Sequence, residues 1–347
     1  MASGFSTMHD LLKQVSRSFY LTLRILPHSV NRQLSIAYLL ARAADTIADT
    51  QLINIQKRRE ALSEIRKSIQ LACEGRMPPA LNFGELAEAR RGVAGQGTSA
   101  ERILLEKIGP ILNSLVDFTV EDRGSIRDLL HTITHGQDMD LVRFSTASAD
   151  QIVALDTDSE LEDYIYCVAG CVGEFWTKIC GTHVFMIQPQ NNEILLAKGV
   201  RFGKGLQLVN ILRDLPVDLR QGRCYIPKEQ LLSYGLQPRE LLEMGAIGRF
   251  RPIYCAYLKR AEEHLAAGWE YIMMIPFRCM RIRLACAWAI LIGMRTLELL
   301  HVGNVLDNGR RIKLSRSDIR RLIIQSVLLY PFPKMWNRLF ARNSDAK

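Results

Sequence analysis

Residues 38–50, YLLARAADTIADT, set two aspartates, Asp45 and Asp49, four apart in an otherwise small and apolar run. On a helix, residues four apart share a face, so the two carboxylates project side by side, with Arg42 and Tyr38 further back on the same stripe. Like charges at that spacing cost about 0.3 kcal/mol at a solvated surface, and more in a less polar site unless a cation lies between them. A solvated helix end would account for one such pair. The stretch QLVNILRDLPVDLRQGRCYIP, residues 207–227, carries a second, Asp214 and Asp218, preceded at helical spacing by Asn210 and Gln207. Two polar stripes, each embedded in apolar sequence, fit poorly with two solvated faces. If the helices face each other, four carboxylates bound a pocket whose oxygen ligands suit Mg²⁺, and Mg²⁺ so held completes its octahedron with water and phosphate oxygens. The expected ligand is a diphosphate, with Arg17, Arg42, Arg213 and Arg223 placed to take up its charge. Pro216 interrupts the second pair, and a proline inside a helix can kink or end it, so Asp214 is expected to be the firmer ligand and Asp218 to sit off the ideal direction.

Bulk composition agrees with a folded protein. Of 347 residues 48% are hydrophobic and 23% charged, and the net charge of +9 suits an anionic partner without naming it. The eight cysteines form no CxxC and several lie in apolar helical patterns, which reads as buried reduced thiols. No signal-type apolar segment stands near residue 1, and the longest apolar run, residues 284–294, is shorter than a membrane span requires. The expected location is cytoplasmic. Apolar residues recur at three and four and alternating β-branched runs are almost absent, so the fold class is all-α. Helices are expected at about 8–24, 31–49, 56–73, 101–116, 124–141, 159–184, 192–218, 227–234, 250–273, 278–301 and 315–329. Residues 74–99, with Pro78–Pro79 and clustered glycines, read as an irregular surface insertion rather than a domain boundary, leaving one domain over 1–347 with a core of about 8–325.

Residues 16–50 (SRSFYLTLRILPHSVNRQLSIAYLLARAADTIADT), 207–227 and 163–173 (DYIYCVAGCVG) resemble the squalene/phytoene synthase family, whose members join two prenyl diphosphates head to head. The likeness runs from about residue 8 to about 325. It implies a single helical isoprenoid-synthase domain with a central cavity, Mg²⁺ as cofactor and a prenyl diphosphate as substrate, farnesyl diphosphate in the first place. Carried over position by position, Tyr38, Arg42, Asp45 and Asp49 fall on the first aspartate-rich motif, and Asn210, Arg213, Asp214 and Asp218 on the second. Gln207 lies on the same face as the second motif. Asp45, Asp49, Asn210, Asp214 and Asp218 are then the metal-binding candidates, and Tyr164, Arg42, Asp45 and Asp214 the catalytic ones. Tyr164 matches a tyrosine that handles a proton or steers the cationic intermediate. Ser16, Arg17, Phe19, Tyr38, Gln207, Arg213, Arg223 and Tyr225 are substrate-binding candidates. Val217 departs from the pattern, standing where many members carry an acid.

Family members share a first half-reaction that yields a cyclopropyl diphosphate and differ afterwards. Residues 308–324, NGRRIKLSRSDIRRLII, resemble the basic run near the hydride-donor region of squalene synthases. Arg310, Arg311 and Lys313 are therefore candidates for the extra phosphate of NADPH, with a solvated helix start as the other reading. The expected product is squalene, formed by way of presqualene diphosphate; phytoene, dehydrosqualene or presqualene diphosphate without reduction are the alternatives.

Other signals carry less. GVRFGKG (199–205) lacks the spacing of a phosphate loop and reads as helix, and GQG (95–97) reads as loop. His131 and His135, four apart, have no placed third ligand and read as packing or surface histidines, while Cys167 and Cys171 read as core. The stretch 320–347 mixes apolar, aromatic and basic residues, a pattern that fits an interfacial segment over 326–347 in peripheral contact with a membrane and equally a helix docked on the domain. A nucleic-acid binder is disfavoured because it leaves two acidic pairs unexplained, and a non-catalytic scaffold because the motif residues are intact. A head-to-tail elongation enzyme ranks below these on the SRSFY and YCVAGCVG stretches. A monomer is expected.

Overall fold

The computed structural model describes residues 10–16, 20–89, 99–307 and 312–344. As expected the protein is helical throughout: α1 (10–16), α2 (Tyr20–Ile25), α3 (His28–Ala48), α4 (Ile55–Cys73), α5 (Gly84–Ala89), α6 (Ser99–Glu106), α7 (Ile108–Asn113), α8 (Val120–Arg143), α9 (Asp158–Ile165), α10 (Cys171–His183), α11 (Pro189–Arg220), α12 (Lys228–Ser233), α13 (Ile247–Met274), α14 (Met280–Val302), α15 (Arg316–Leu329) and α16 (Pro333–Ser344). The only extended pairing among the described residues is a parallel bridge between Val153–Ala154 and Arg223–Cys224. The chain divides into two compact units, one of Met1–Val142 with Lys178–Val184, the other of Arg143–Thr177 with Phe185–Lys347.

In the first unit α3 is the central element, packed on α4, α6 and α7. Its Val30, Leu34, Ala37, Leu40, Ala44 and Ile47 are buried, a stripe at the three-and-four spacing that leaves Arg42, Asp45 and Asp49 less covered. Local chemistry sets the ends of α4. The Asn54 side chain accepts from the Gln56 N–H at 2.6 Å, and Gly75, at φ +76°, lets Arg76 and Gly75 return N–H bonds to the Leu71 and Ala72 carbonyls. The single helix expected over 101–116 is broken at Lys107, because Pro110 cannot donate to the Glu106 carbonyl, and it finishes as a 3₁₀ turn at Ser114–Asp117. The stretch 74–99, read as irregular, contains α5, whose Leu86 and Ala87 are buried; residues 90–98 lie outside the described residues.

In the second unit α11 is the axis, packed on α13, α14 and the segment that precedes α10. That segment, Tyr166–Gly170, is a π turn between α9 and α10 in what the sequence pattern reads as one regular helix. A run of glycines lets it approach α11. A Cβ on Gly173 would stand 1.8 Å from the Gly199 carbonyl oxygen, and one on Gly203 would stand 2.1 Å from that of Ala169. The GVRFGKG run is thus helix, as expected, and its Gly199 and Gly203 are the α11 side of a backbone-to-backbone contact. The second departure from local expectation is Pro216. It sits inside α11, and the helix continues to Arg220. Proline leaves the carbonyl four residues earlier without its helical donor. That carbonyl belongs to Leu212, and the buried Tyr254 hydroxyl of α13 donates to it at 3.0 Å. The helix therefore runs through the second acidic pair, as the expected span 192–218 has it, and the cost of the proline is met by a side chain from another helix.

Helix α14 is long and apolar enough to cross a membrane by length and composition, which the 11-residue apolar run alone is not, and 61% of its most apolar window is buried within the protein. The region 326–347, treated as a tail in the sequence, contains the end of α15 and all of α16, docked by a fully buried Trp336 that stacks on Trp269 at 4.7 Å. Seven of the eight cysteines are buried and none is joined to another.

Two outcomes test these contacts by denaturant unfolding. Gly173→Ala and Gly203→Ala should each destabilise by about 3 kcal/mol, since backbone rather than a flexible side chain must move, whereas Gly248→Ala, whose Cβ would meet nothing within 4 Å, should change stability by less than about 1 kcal/mol. Tyr254→Phe should cost about 2 kcal/mol, the penalty for a buried carbonyl left without a donor.

Candidate active site

In the first unit the acidic pair closes α3. Asp45 lies in the last turn and Asp49 is the C-cap residue, more exposed than Asp45. Two residues that the motif does not contain hold the stripe in place. Glu101 of α6, itself 3% exposed, accepts from Arg42 Nη2, and Gln137 of α8 donates from Nε2 to Asp45 Oδ1. Arg42 also stands 3.8 Å from Asp45. Burial opposes the charge on Arg42, but Asp45 and Glu101 outweigh it and hold the guanidinium above its ordinary value. The Asp45 side chain keeps 45% of its accessible surface, so it is recessed rather than sealed. The surrounding protein pushes its carboxyl up to about 7, the charge of Asp49 adds to this, and Arg42 and Gln137 work the other way. A carboxylate pair under that strain is one a cation would relieve.

Tyr38, two turns back, donates to the Val15 carbonyl at 3.5 Å, which sets it against α1. Ser16 is buried, and its hydroxyl is turned onto its own helix, donating to the Leu12 carbonyl at 2.5 Å. Arg17 and Phe19 lie outside the described residues.

In the second unit α11 carries Gln207, Asn210, Arg213, Asp214 and Asp218 along one run, with Asn210 donating to Gln207 Oε1 at 3.5 Å. Arg213 grips Asp214 with two hydrogen bonds, Nε to Oδ1 at 3.0 Å and Nη2 to Oδ2 at 2.5 Å. That bond first, and the Asp214 and Asp218 charges after burial is overcome, hold Arg213 above its ordinary value. Tyr164, in the last turn of α9 just before the π turn, stacks on Tyr225 with ring centroids 4.8 Å apart and hydroxyls 3.5 Å apart. Phe144 meets Tyr225 edge-on at 5.2 Å, and the Arg223 guanidinium lies 5.9 Å from the Phe144 ring. Two tyrosine hydroxyls, an aromatic wall and a guanidinium are thereby gathered around the segment that follows α11. Lys313 is exposed, while Arg310 and Arg311 lie outside the described residues. His131 and His135 are surface histidines.

Among the described residues no three His, Cys, Asp or Glu side chains form a ready-made metal cluster. Three residues here escaped the motif reading. Glu101 and Phe144 carry no local signal. Gln137 does: it is a polar residue at a core-facing position in the series Ile126, Leu130, Ile133, Gln137, Leu141 of α8, in the same run inspected for its histidines.

Comparison with known proteins identifies the family and the fold. A family profile described as squalene/phytoene synthase matches residues 12–318. A bifunctional lycopene cyclase/phytoene synthase of Blakeslea trispora is 24% identical over 281 residues, 80% of this chain but 42% of that protein, so the chain spans about two-fifths of that relative's length. A presqualene diphosphate synthase of Zymomonas mobilis is 27% identical over 261 residues, 75% of this chain and 73% of that protein. The solved structure of TcSQS with the ligand E5700 superposes with a TM-score of 0.75 over 99% of this chain and 92% of that chain at 19% identity, a likeness of fold. A profile match that takes in both acidic pairs, the π turn and nearly all of the helical fold makes this chain a member of the squalene/phytoene synthase family.

Proposed function

We propose that the protein is a prenyl diphosphate transferase that condenses two molecules of farnesyl diphosphate head to head. The observation that carries this reading is the pair of acidic stripes, each with its own arginine, Arg42 beside Asp45 and Arg213 on Asp214. Asp45, Asp49, Asn210, Asp214 and Asp218 fit Mg²⁺, which needs only one or two carboxylates from protein and takes its remaining ligands from water and diphosphate. That no three-carboxylate cage stands among the described residues is compatible with such a metal, and the raised Asp45 carboxyl is a group that a cation would favour in its ionised form. Bound there, Mg²⁺ would neutralise charge on the departing diphosphate.

The chain's own groups do the rest. Arg42 in the one unit and Arg213 in the other, each kept charged by its carboxylate partners, are donors suited to a departing diphosphate, which takes the electron pair of the allylic carbon–oxygen bond as that bond breaks. The allylic cation adds to the double bond of the second substrate, and loss of a proton closes the cyclopropyl ring. Tyr164 and Tyr225 offer a hydroxyl pair to receive or relay that proton, and their ring faces together with Phe144 shelter the cation. Arg310, Arg311 and Lys313 would hold NADPH, which would supply the hydride that replaces the second diphosphate as the cyclopropyl ring opens to squalene. A second reading, release of the cyclopropyl diphosphate itself, is favoured by the Zymomonas mobilis relative named presqualene diphosphate synthase, whose match covers 75% of this chain and 73% of that protein.

Incubation of the purified protein with Mg²⁺ and farnesyl diphosphate, with and without NADPH, separates the readings. Squalene formed only with NADPH supports the reductive enzyme; presqualene diphosphate or dehydrosqualene irrespective of NADPH moves the choice to a non-reductive member; turnover of geranylgeranyl diphosphate alone makes phytoene the product. Asp45→Asn and Asp214→Asn should each lower turnover about 100-fold or more with unchanged thermal stability, and unchanged turnover in both would sink the assignment of the acidic pairs.

A further inference from the structure

We propose that the seam between α4 and α8 is a binding site for a small organic phosphate of nucleotide size. The inference is independent of the proposed reaction, since every residue it uses lies within the first unit and none belongs to the acidic stripe. The seam holds an open-sided cavity of about 450 Å³, with Arg66, Ile69 and Gln70 of α4 on one wall and residues 127–132 of α8 on the other. That volume lies in the range of pockets that bury a ligand rather than a bare ion.

The lining is cationic because the arginines of the seam are unequally matched. Towards one end Arg59 is neutralised by Asp138, to which it donates from Nε at 2.6 Å and from Nη2 at 3.3 Å. Arg66, two turns further along α4, meets no carboxylate among the described residues. Its Nε donates to the Thr134 hydroxyl at 3.0 Å, which holds the guanidinium and leaves the two terminal nitrogens for a forked contact with phosphate oxygens. Arg127 is held by Asp128, whose Oδ1 accepts from Nε at 3.0 Å and from Nη2 at 2.8 Å, so the one acid of the lining orients the second cation. Glu74, at the end of α4, is engaged by Gln70 at 3.0 Å and Arg76 at 3.3 Å. Two guanidiniums against one carboxylate leave the cavity with a positive charge.

The rest of the lining is suited to an organic portion. Ile69, 2% exposed, is the apolar floor, and the exposed His131 supplies a ring at the rim. Gln70 and Thr132 each donate within their own helix, to Glu74 and to the Asp128 carbonyl, which leaves an amide oxygen and a hydroxyl oxygen as acceptors. Cations for a phosphate, an apolar floor and acceptors for ring N–H groups are the complement of a nucleoside phosphate. The cavity is separate from Asp45, whose partner Gln137 belongs to the core-facing series of α8, whereas Arg127 and His131 are exposed on its flank.

Titration calorimetry of the full chain in EDTA, with ADP and with inorganic phosphate as probes, tests the site without reference to turnover. ADP should bind at one site, about tenfold or more tighter than inorganic phosphate, and should slow amide hydrogen exchange over residues 66–73 and 127–135 while leaving 207–220 unchanged. Arg66→Gln with Arg127→Gln should weaken ADP about tenfold or more; where that pair lowers the thermal transition, Arg127→Gln alone, at an exposed position, should still weaken it about threefold. No binding of ADP, equal binding by these variants, or protection appearing at 207–220 instead overturns the proposal. Inorganic phosphate binding as tightly as ADP overturns it too, by reducing the cavity to a general anion contact.

Discussion

The close approach of two backbones, residues 169–173 against residues 199–203, is the constraint on which the second unit depends. Glycine at 173, 199 and 203 lets the two backbones meet, and at 173 and 203 the carbonyls of Gly199 and Ala169 occupy the space a Cβ would need. Because α11 is then pressed onto the π turn, the residues further along it, from Gln207 to Asp218, are set relative to the segment that follows Tyr164 of α9. Close packing transmits such a restriction along a rigid element, as no liquid-like core could. The rest of α11 is adapted to it. Ion pairs of Lys204 and Arg260 with Glu162 tie α9, α11 and α13, and although burial alone would raise Glu162, those partners hold it below its ordinary value.

A second principle runs through both acidic stripes: each carries a carboxylate with a hydrogen-bonding partner and draws support from another helix. At Asp45 the partners come from two other helices, Gln137 to the carboxylate and Glu101 to the arginine beside it. At Asp214 the partner is the adjacent Arg213, and the remote support is given to the backbone, through Tyr254 and the carbonyl that Pro216 leaves open. The two stripes look alike in sequence and are built differently. In the first unit electrostatic tension is retained at Asp45, whose carboxyl burial and the charge of Asp49 push up to about 7. In the second, charge is balanced locally and the cost lies in helix geometry.

At the C-terminal end the same economy of partners makes one face of α15 and α16 internal and leaves the other apolar and uncovered. Arg283 illustrates it. A buried cation is normally matched by a carboxylate, yet here three aromatic rings, the Ile275 carbonyl and the Met273 sulfur surround the guanidinium, and burial pulls it below its ordinary value. Aromatic faces can fill this place because their quadrupoles attract a cation without adding negative charge.

The sequence by itself determined the helical class, most helix positions, the two acidic pairs and the family, because each is written in spacings of three and four or in contiguous motifs. Tertiary structure decided what those spacings cannot hold. The Gln137–Asp45 bond joins residues 92 apart and the Tyr254–Leu212 bond residues 42 apart, so neither leaves a local pattern. Nor does local pattern distinguish a glycine that merely permits a helix from one that admits a neighbouring backbone, as at Gly203, or a helix-breaking proline from one whose lost hydrogen bond another helix replaces, as at Pro216. The docking of α16 is of the same kind: its aromatic residues read equally as tail or as core until Trp269 and Arg283 supply the surface that buries Trp336. Long-range partners, not propensities, settle such cases, because only the folded chain brings both halves of the interaction together.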